Sequence, residues 1–164
     1  MLILGIDPGL QKTGWGIIHS EGPKLQFRAC GLLKTDAKEP LPLRLATLHE
    51  QLVSVIKQWQ PEIAAIEETF VNKNPASALK LGQARGALLA VPALHGIPTA
   101  EYAPNKIKKS IVGTGHAAKE QMGMMVKMLL PACGQIGPDE ADALAVAITH
   151  AHYGGLNKNL AHII

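Results

Sequence analysis

The sequence predicts an α/β fold, a mixed sheet of five strands flanked by helices on both faces. Three observations predict it. Residues 2 to 34 read as three strands separated by glycine turns, and such short connections pair neighbours antiparallel. Beyond residue 40, helical stretches alternate with two further apolar runs, the pattern of strands joined by helical crossovers. The chain has 164 residues, 47% apolar and 18% charged, which suits a single domain (1–164) with one substantial core.

The elements follow in order. Residues 2–7 read as a strand, 14–20 as a second and about 24–34 as a third, with Gly9, Gly14 and Gly22-Pro23 supplying the turns. PLRLATLHEQLVSVIKQWQP places Leu45, Leu48, Leu52, Ile56 and Trp59 at helical spacing and stops at Pro61. EIAAIEE reads as a buried strand lying parallel to the first. NPASALKLGQARGALLAV begins with Asn74 as N-cap and Pro75 at the first helical position. Gly82, Ala84 and Gly86 permit another backbone to approach this helix closely, either in the core or in a subunit interface. A short strand near Ile97 to Ala100 follows. PNKIKKSIV and AAKEQMGMMVKMLLP then form two helices separated by GTGH, and PDEADALAVAITHAH forms a last helix from Pro138. The order is βββαβαβααα, without internal repeats.

Bulk properties narrow the function classes. No apolar run approaches the ~18 residues of a membrane span, and MLILGIDPG lacks the basic segment of a secretory signal, so the expectation is a cytoplasmic chain with no membrane partner. Cys30 and Cys133 are far apart and isolated, suggesting packing rather than a disulfide framework or a metal site. Basic charge is concentrated in the middle. Residues 71–130 carry eight Lys or Arg against Glu101 and Glu120, a net charge of +6, while the segments on either side are weakly acidic. That segment is either a solvated face or a surface for a polyanion.

Three acidic places stand out. Asp7 ends the first strand, Glu67 and Glu68 end the strand expected beside it, and Asp139 and Asp142 share a face at the start of the last helix. Because strand side chains alternate, only one of Glu67 and Glu68 shares a face with Asp7. Each acid has a structural reading: Asp7 as a turn cap, the glutamates as an exposed strand end, Asp139 as a complement to the helix dipole. Asp142 resists this, since it precedes ALAVAI and an unpaired buried carboxylate is costly. Carboxylates gathered at one point repel unless a cation intervenes, and an all-oxygen set suits Mg²⁺ or Mn²⁺ rather than Zn²⁺. Two such ions, roughly 3.5 to 4 Å apart, clamp the attacking and leaving oxygens in phosphodiester hydrolysis. His150, two turns beyond Asp142, reads as a packing residue or as a group assisting a water. No Ser-His-Asp or Cys-His arrangement is evident. The glycines of DPGLQKTGWG fit neither a P-loop nor a dinucleotide fingerprint and read better as turns.

IDPG with TGWG, AIEETF, SALKLGQARG, YAPNKIKKSIVGTGHAAKEQ and DEADALAVAITH, in that order over about residues 2–152, resemble the RuvC family of crossover (Holliday) junction endonucleases. The resemblance implies a ribonuclease H-like fold and a homodimer. It implies a structure-selective endonuclease that makes paired, Mg²⁺-dependent nicks in opposing strands of a four-way DNA junction, in homologous recombination and repair. It also selects Glu67 and implies that Asp7, Glu67, Asp139 and Asp142 are catalytic and metal-binding, with two Mg²⁺ per subunit and Mn²⁺ as a substitute. Phe70, Lys108 and Lys119 correspond to DNA-contacting positions, and cooperation with a branch-migration motor is implied. The Gly/Ala-rich helix 76–91 is the candidate dimer interface. The tail GGLNKNLAHII lies outside the resemblance and carries only Lys158. Two other readings compete. One is a junction-binding relative without catalysis; the other is an actin-like phosphotransferase, which also opens with a strand, an Asp and a glycine turn but needs a second phosphate-binding segment not apparent here.

Overall fold

The computed structural model describes residues 1–68, 74–116 and 118–154. The elements are β1 (Leu2–Asp7), β2 (Lys12–Glu21), β3 (Lys24–Lys34), α1 (Leu41–Trp59), β4 (Ile63–Glu67), α2 (Pro75–Leu94), β5 (Thr99–Tyr102), α3 (Pro104–Val112), α4 (Lys119–Leu129), a 3-10 turn (Pro131–Cys133) and α5 (Pro138–Tyr153). The sheet order is β3-β2-β1-β4-β5. β1, β2 and β3 pair antiparallel through their hairpins, whereas β4 and β5 join parallel to β1 through helical crossovers.

Alternation along the central strands divides the core in two. Leu4, Ile6, Ala64 and Ile66 pack against Leu48, Leu52 and Ile56 of α1 and Ala84 and Leu88 of α2. Ile3, Ala65 and Tyr102 face the opposite way, against Ile107 and Ile111 of α3, Met122 and Val126 of α4 and Leu144 and Ile148 of α5. Both faces are covered, as parallel strands require. Helix α2 begins as expected: the Asn74 side chain accepts from the amides of Ala76 and Ser77, and Pro75 opens the first turn. Both cysteines are free and pack against the second of these clusters. Among the described residues no helix is long and apolar enough to cross a membrane.

Two expectations need correction. Gly14 is no turn residue; it lies within β2, directly opposite Asp7. The β1–β2 turn is closed instead by Thr13, whose fully buried hydroxyl donates to Gly9 O at 2.6 Å and accepts from Gly9 N–H at 3.1 Å. The last strand also starts later than expected, at Thr99. Ile97 N–H turns back to Pro92 O at 2.9 Å to close α2, and ladder pairing begins only when Pro98 O accepts from Ala64 N–H.

Candidate active site

Strand alternation decides which acids meet. Ile3 and Ala65 face α5, so two residues further along Gly5 and Glu67 do the same, and Asp7 follows Gly5 on that face. Glu68 has the other parity. Gly5 lets α5 lie on the sheet: a Cβ there would stand 2.0 Å from Ala143 O. Gly14 does the same at the helix start, where an added Cβ would stand 2.0 Å from Asp139 O. The first turn of α5, carrying Asp139 and Asp142, is thereby seated against the ends of β1 and β2.

The electrostatics register this crowding. Burial pushes the Asp7 carboxyl up to about 9, and the negative charge of Glu67, a hydrogen bond to the Glu67 carboxyl, and the charges of Asp142 and Asp139 push the same way. Both carboxyls of this pair are thus pushed toward the protonated form. Glu67 is raised chiefly by burial, opposed by the hydrogen bond from Asp7 and by Lys108 and Lys119. Asp142 is also raised by burial, with Lys119 opposing; Lys119 Nζ stands 3.5 Å from Asp142 Oδ2.

Glu67, Lys108, Lys119 and Asp142 line one cavity of about 220 Å³, together with Pro104, Ile107, Met122 and Ala145. The two lysines singled out as DNA contacts therefore stand beside two of the four acids. A larger groove between α4 and the start of α5 shares Lys119 and Asp142 with it. Phe70 lies outside the described residues. His150 is buried and its Nδ1 is 2.8 Å from the Tyr102 hydroxyl, so it packs between β5 and α5. Burial lowers its pKa.

Among the described residues no three His, Cys, Asp or Glu side chains are arranged to hold an ion as they stand. Asp7 stands beside Glu67, and Asp142 is paired with Lys119, whose charge offsets part of the repulsion among the acids. The donor set still fits a hard divalent cation: every candidate ligand is a carboxylate oxygen, and the charges of Glu67, Asp142 and Asp139 add to burial in raising the Asp7 carboxyl.

The sequence reading missed the part played by Gly14 and Gly16, which it read as turn glycines although its second strand, 14–20, contains both. A Cβ on Gly16 would meet Leu144 Cδ2 at 2.6 Å. The available signal was their period-two spacing between Thr13, Trp15 and Ile17 inside a strand.

Sheet order, crossovers and an acidic centre where two parallel strands and the last helix converge define a ribonuclease H-like α/β protein. Comparison with known proteins makes this particular. The family model for crossover junction endodeoxyribonuclease RuvC matches residues 3–150. The crossover junction endodeoxyribonuclease RuvC of Paramagnetospirillum magneticum is 56% identical over 164 residues, covering 100% of this chain and 99% of the relative. Thermus thermophilus RuvC superposes with a TM-score of 0.86 at 35% identity, covering 96% of this chain and 97% of that one. The same protein in complex with Holliday junction substrate superposes at 0.88 and 34% identity, with 96% of each chain covered. The chain belongs to the RuvC family of crossover junction endodeoxyribonucleases.

Proposed function

We propose that this protein resolves four-way DNA junctions by hydrolysing one phosphodiester bond in each of two opposing strands, as a cytoplasmic homodimer with one acidic centre per subunit. Its relatives carry the name crossover junction endodeoxyribonuclease, and one was solved with Holliday junction substrate bound. The observation that carries the reading for this chain is the convergence of Asp7, Glu67 and Asp142, from three elements distant in sequence, beside Lys108 and Lys119. Cooperation with a branch-migration motor belongs to the same reading.

Asp7, Glu67, Asp139 and Asp142 would hold Mg²⁺, as one ion or two. Bound there, the ion supplies electrostatic stabilisation to the phosphate under attack and to the departing 3′ oxygen. The chain's own residues do the rest. Lys108 and Lys119 supply positive charge at the cavity that holds two of the acids, so they draw in a phosphate and fix its position without reading base sequence. Partial burial of the acids strengthens every charge interaction in the centre. The cavity is open to solvent, so a water has access to the phosphate.

Dimerisation is supported by α2. Leu79 is 64% exposed and Leu94 72%, and between them a Cβ added to Gly82 or Gly86 meets nothing within 4 Å. Of the two places that these glycines could serve, the open space beside them among the described residues supports a subunit interface. A twofold dimer matches the approximate twofold symmetry of a four-way junction and sets two centres on symmetry-related strands.

Strand-resolved nicking of mobile and fixed synthetic junctions, with linear duplex as control, tests the proposal. Wild-type protein in Mg²⁺ is expected to cut opposing strands symmetrically and spare the duplex, while Asp7→Asn binds the junction without cutting. Cutting by Asp7→Asn at the wild-type rate would refute the site; wild-type binding without nicks in either Mg²⁺ or Mn²⁺ would leave a junction-binding protein without catalysis.

A further inference from the structure

The main chain at Glu67 has a hydrogen-bond deficit that the sequence of β1 creates. Along β4 the even-numbered residues bond to β5: Ala64 N–H donates to Pro98 O and Glu68 N–H to Tyr102 O, each at 2.9 Å. The odd-numbered residues therefore turn their N–H and C=O toward β1. With Ile6 opposite Ile66, a continuing parallel ladder would use the amide of residue 8 as donor to Glu67 O. Residue 8 is proline and has no N–H. The register ends there, at Ile6 and Ile66. A strand-end carbonyl left without a donor in a half-buried position is unfavourable.

Arg85 supplies the donor. It projects from the middle of α2 with its side chain only 18% exposed, its Nε donates to Glu67 O at 3.1 Å, and its Nη2 donates to Glu101 Oε1 at 2.5 Å. One planar guanidinium thus ties α2 to the ends of both β4 and β5, which a lysine with a single nitrogen could not do in this geometry. We propose that Arg85 is a positioning residue for Glu67: it replaces the amide that Pro8 lacks and fixes the backbone from which the Glu67 carboxylate projects. The inference rests on reading Glu67 as a catalytic carboxylate. Pro8 ends the β1–β4 ladder beside the acids, and Arg85 makes that ending rigid.

The test compares junction nicking by wild type, Arg85→Met, Arg85→Lys, Pro8→Ala and the double variant Pro8→Ala with Arg85→Met, alongside junction affinity measured without divalent ions. Arg85→Met is expected to lower turnover by about tenfold to a hundredfold, the scale of a small misplacement of a reacting group. Its junction affinity should stay near that of wild type, and Arg85→Lys should fall between the two. The double variant should recover part of the lost turnover relative to Arg85→Met, because Pro8→Ala restores a main-chain N–H opposite Glu67 O. A merely structural arginine would show no such recovery. Wild-type turnover in Arg85→Met, a loss confined to affinity, or no gain from Pro8→Ala in that background would each overturn the inference. If Arg85→Met does not fold, Arg85→Lys and its gain from Pro8→Ala carry the same reading. Glu67→Gln separates the two layers. Full nicking by that variant removes the catalytic role of Glu67, whereas an inactive Glu67→Gln with a fully active Arg85→Met removes only the role of Arg85.

Discussion

Asp7 shows what the acidic centre costs the fold. Its carboxyl is raised from an ordinary 3.8 to about 9, burial being the largest cause, so between those values the folded chain retains a proton that the unfolded chain releases. Stability in metal-free buffer therefore falls as pH rises from about 4 toward 9, by at most about 1.4 kcal/mol per pH unit for one full proton. Asp7→Asn should flatten that slope and melt at a higher temperature than wild type at pH 8 without metal, while losing all nicking. Added Mg²⁺ should raise the melting temperature of wild type more than that of the variant. An Asp7→Asn protein no more stable than wild type at pH 8 would show that the crowding carries no such cost. Tyr102 and His150 make the opposite kind of buried pair, polar but satisfied, with 2.8 Å between hydroxyl and Nδ1. Tyr102→Phe strands that nitrogen among apolar neighbours, for an expected loss of about 1–3 kcal/mol by urea denaturation. Burial also lowers the His150 pKa, so this histidine adds stability above its unfolded value and withdraws it as pH falls below.

At the scale of elements, the centre depends on α5 lying very close to the sheet. Gly14 pairs with Asp7 in the β1–β2 ladder and receives the Asp139 carbonyl on its bare Cα. Gly14→Ala is expected to leave the hairpin intact, since β-strands accept alanine, but to push the first turn of α5 outward and cut nicking by about a hundredfold. Circular dichroism should show a folded protein; a fully active Gly14→Ala would mean that the seat of α5 is not critical. This explains what could be read from the sequence and what could not. Five strands, the crossovers and the acids at strand and helix ends all follow from periodicity, Pro and Gly punctuation and parity, which are properties of one segment at a time. The seat of α5 on Gly14 and the bond from Arg85 to Glu67 O are contacts between layers. The period-two spacing of Gly14 and Gly16 in β2 was the one local signal of the first contact, and nothing periodic within α2 announces the other, so Gly14 read as a turn and Arg85 as one more positive charge. The missing N–H of Pro8 was also written in the chain, and it becomes a deficit only once the β1–β4 register is known.

At the scale of the whole molecule, the proposed dimer would bring two such centres to one junction. Charge contributes first: Lys108 and Lys119 stand at the cavity that Glu67 and Asp142 line, and each phosphate neutralised by a lysine releases condensed counterions. Lys108→Ala or Lys119→Ala should therefore reduce the slope of log affinity against log salt by about 1 each, uniformly across junction sequences. Symmetry contributes next, and α2 allows it to be tested without touching the acids. Glycine in a helix interior costs about 1 kcal/mol relative to alanine, and among the described residues nothing packs on Gly82 or Gly86 in return. If a second subunit packs on this face, a large side chain at Gly86 must separate the subunits while leaving the monomer at least as stable. Gly86→Leu should thus elute as a monomer by light scattering, retain its melting temperature at low concentration, and turn paired nicks into single, uncoordinated ones. A dimeric Gly86→Leu that still cuts both strands together would move the interface to another face of the molecule.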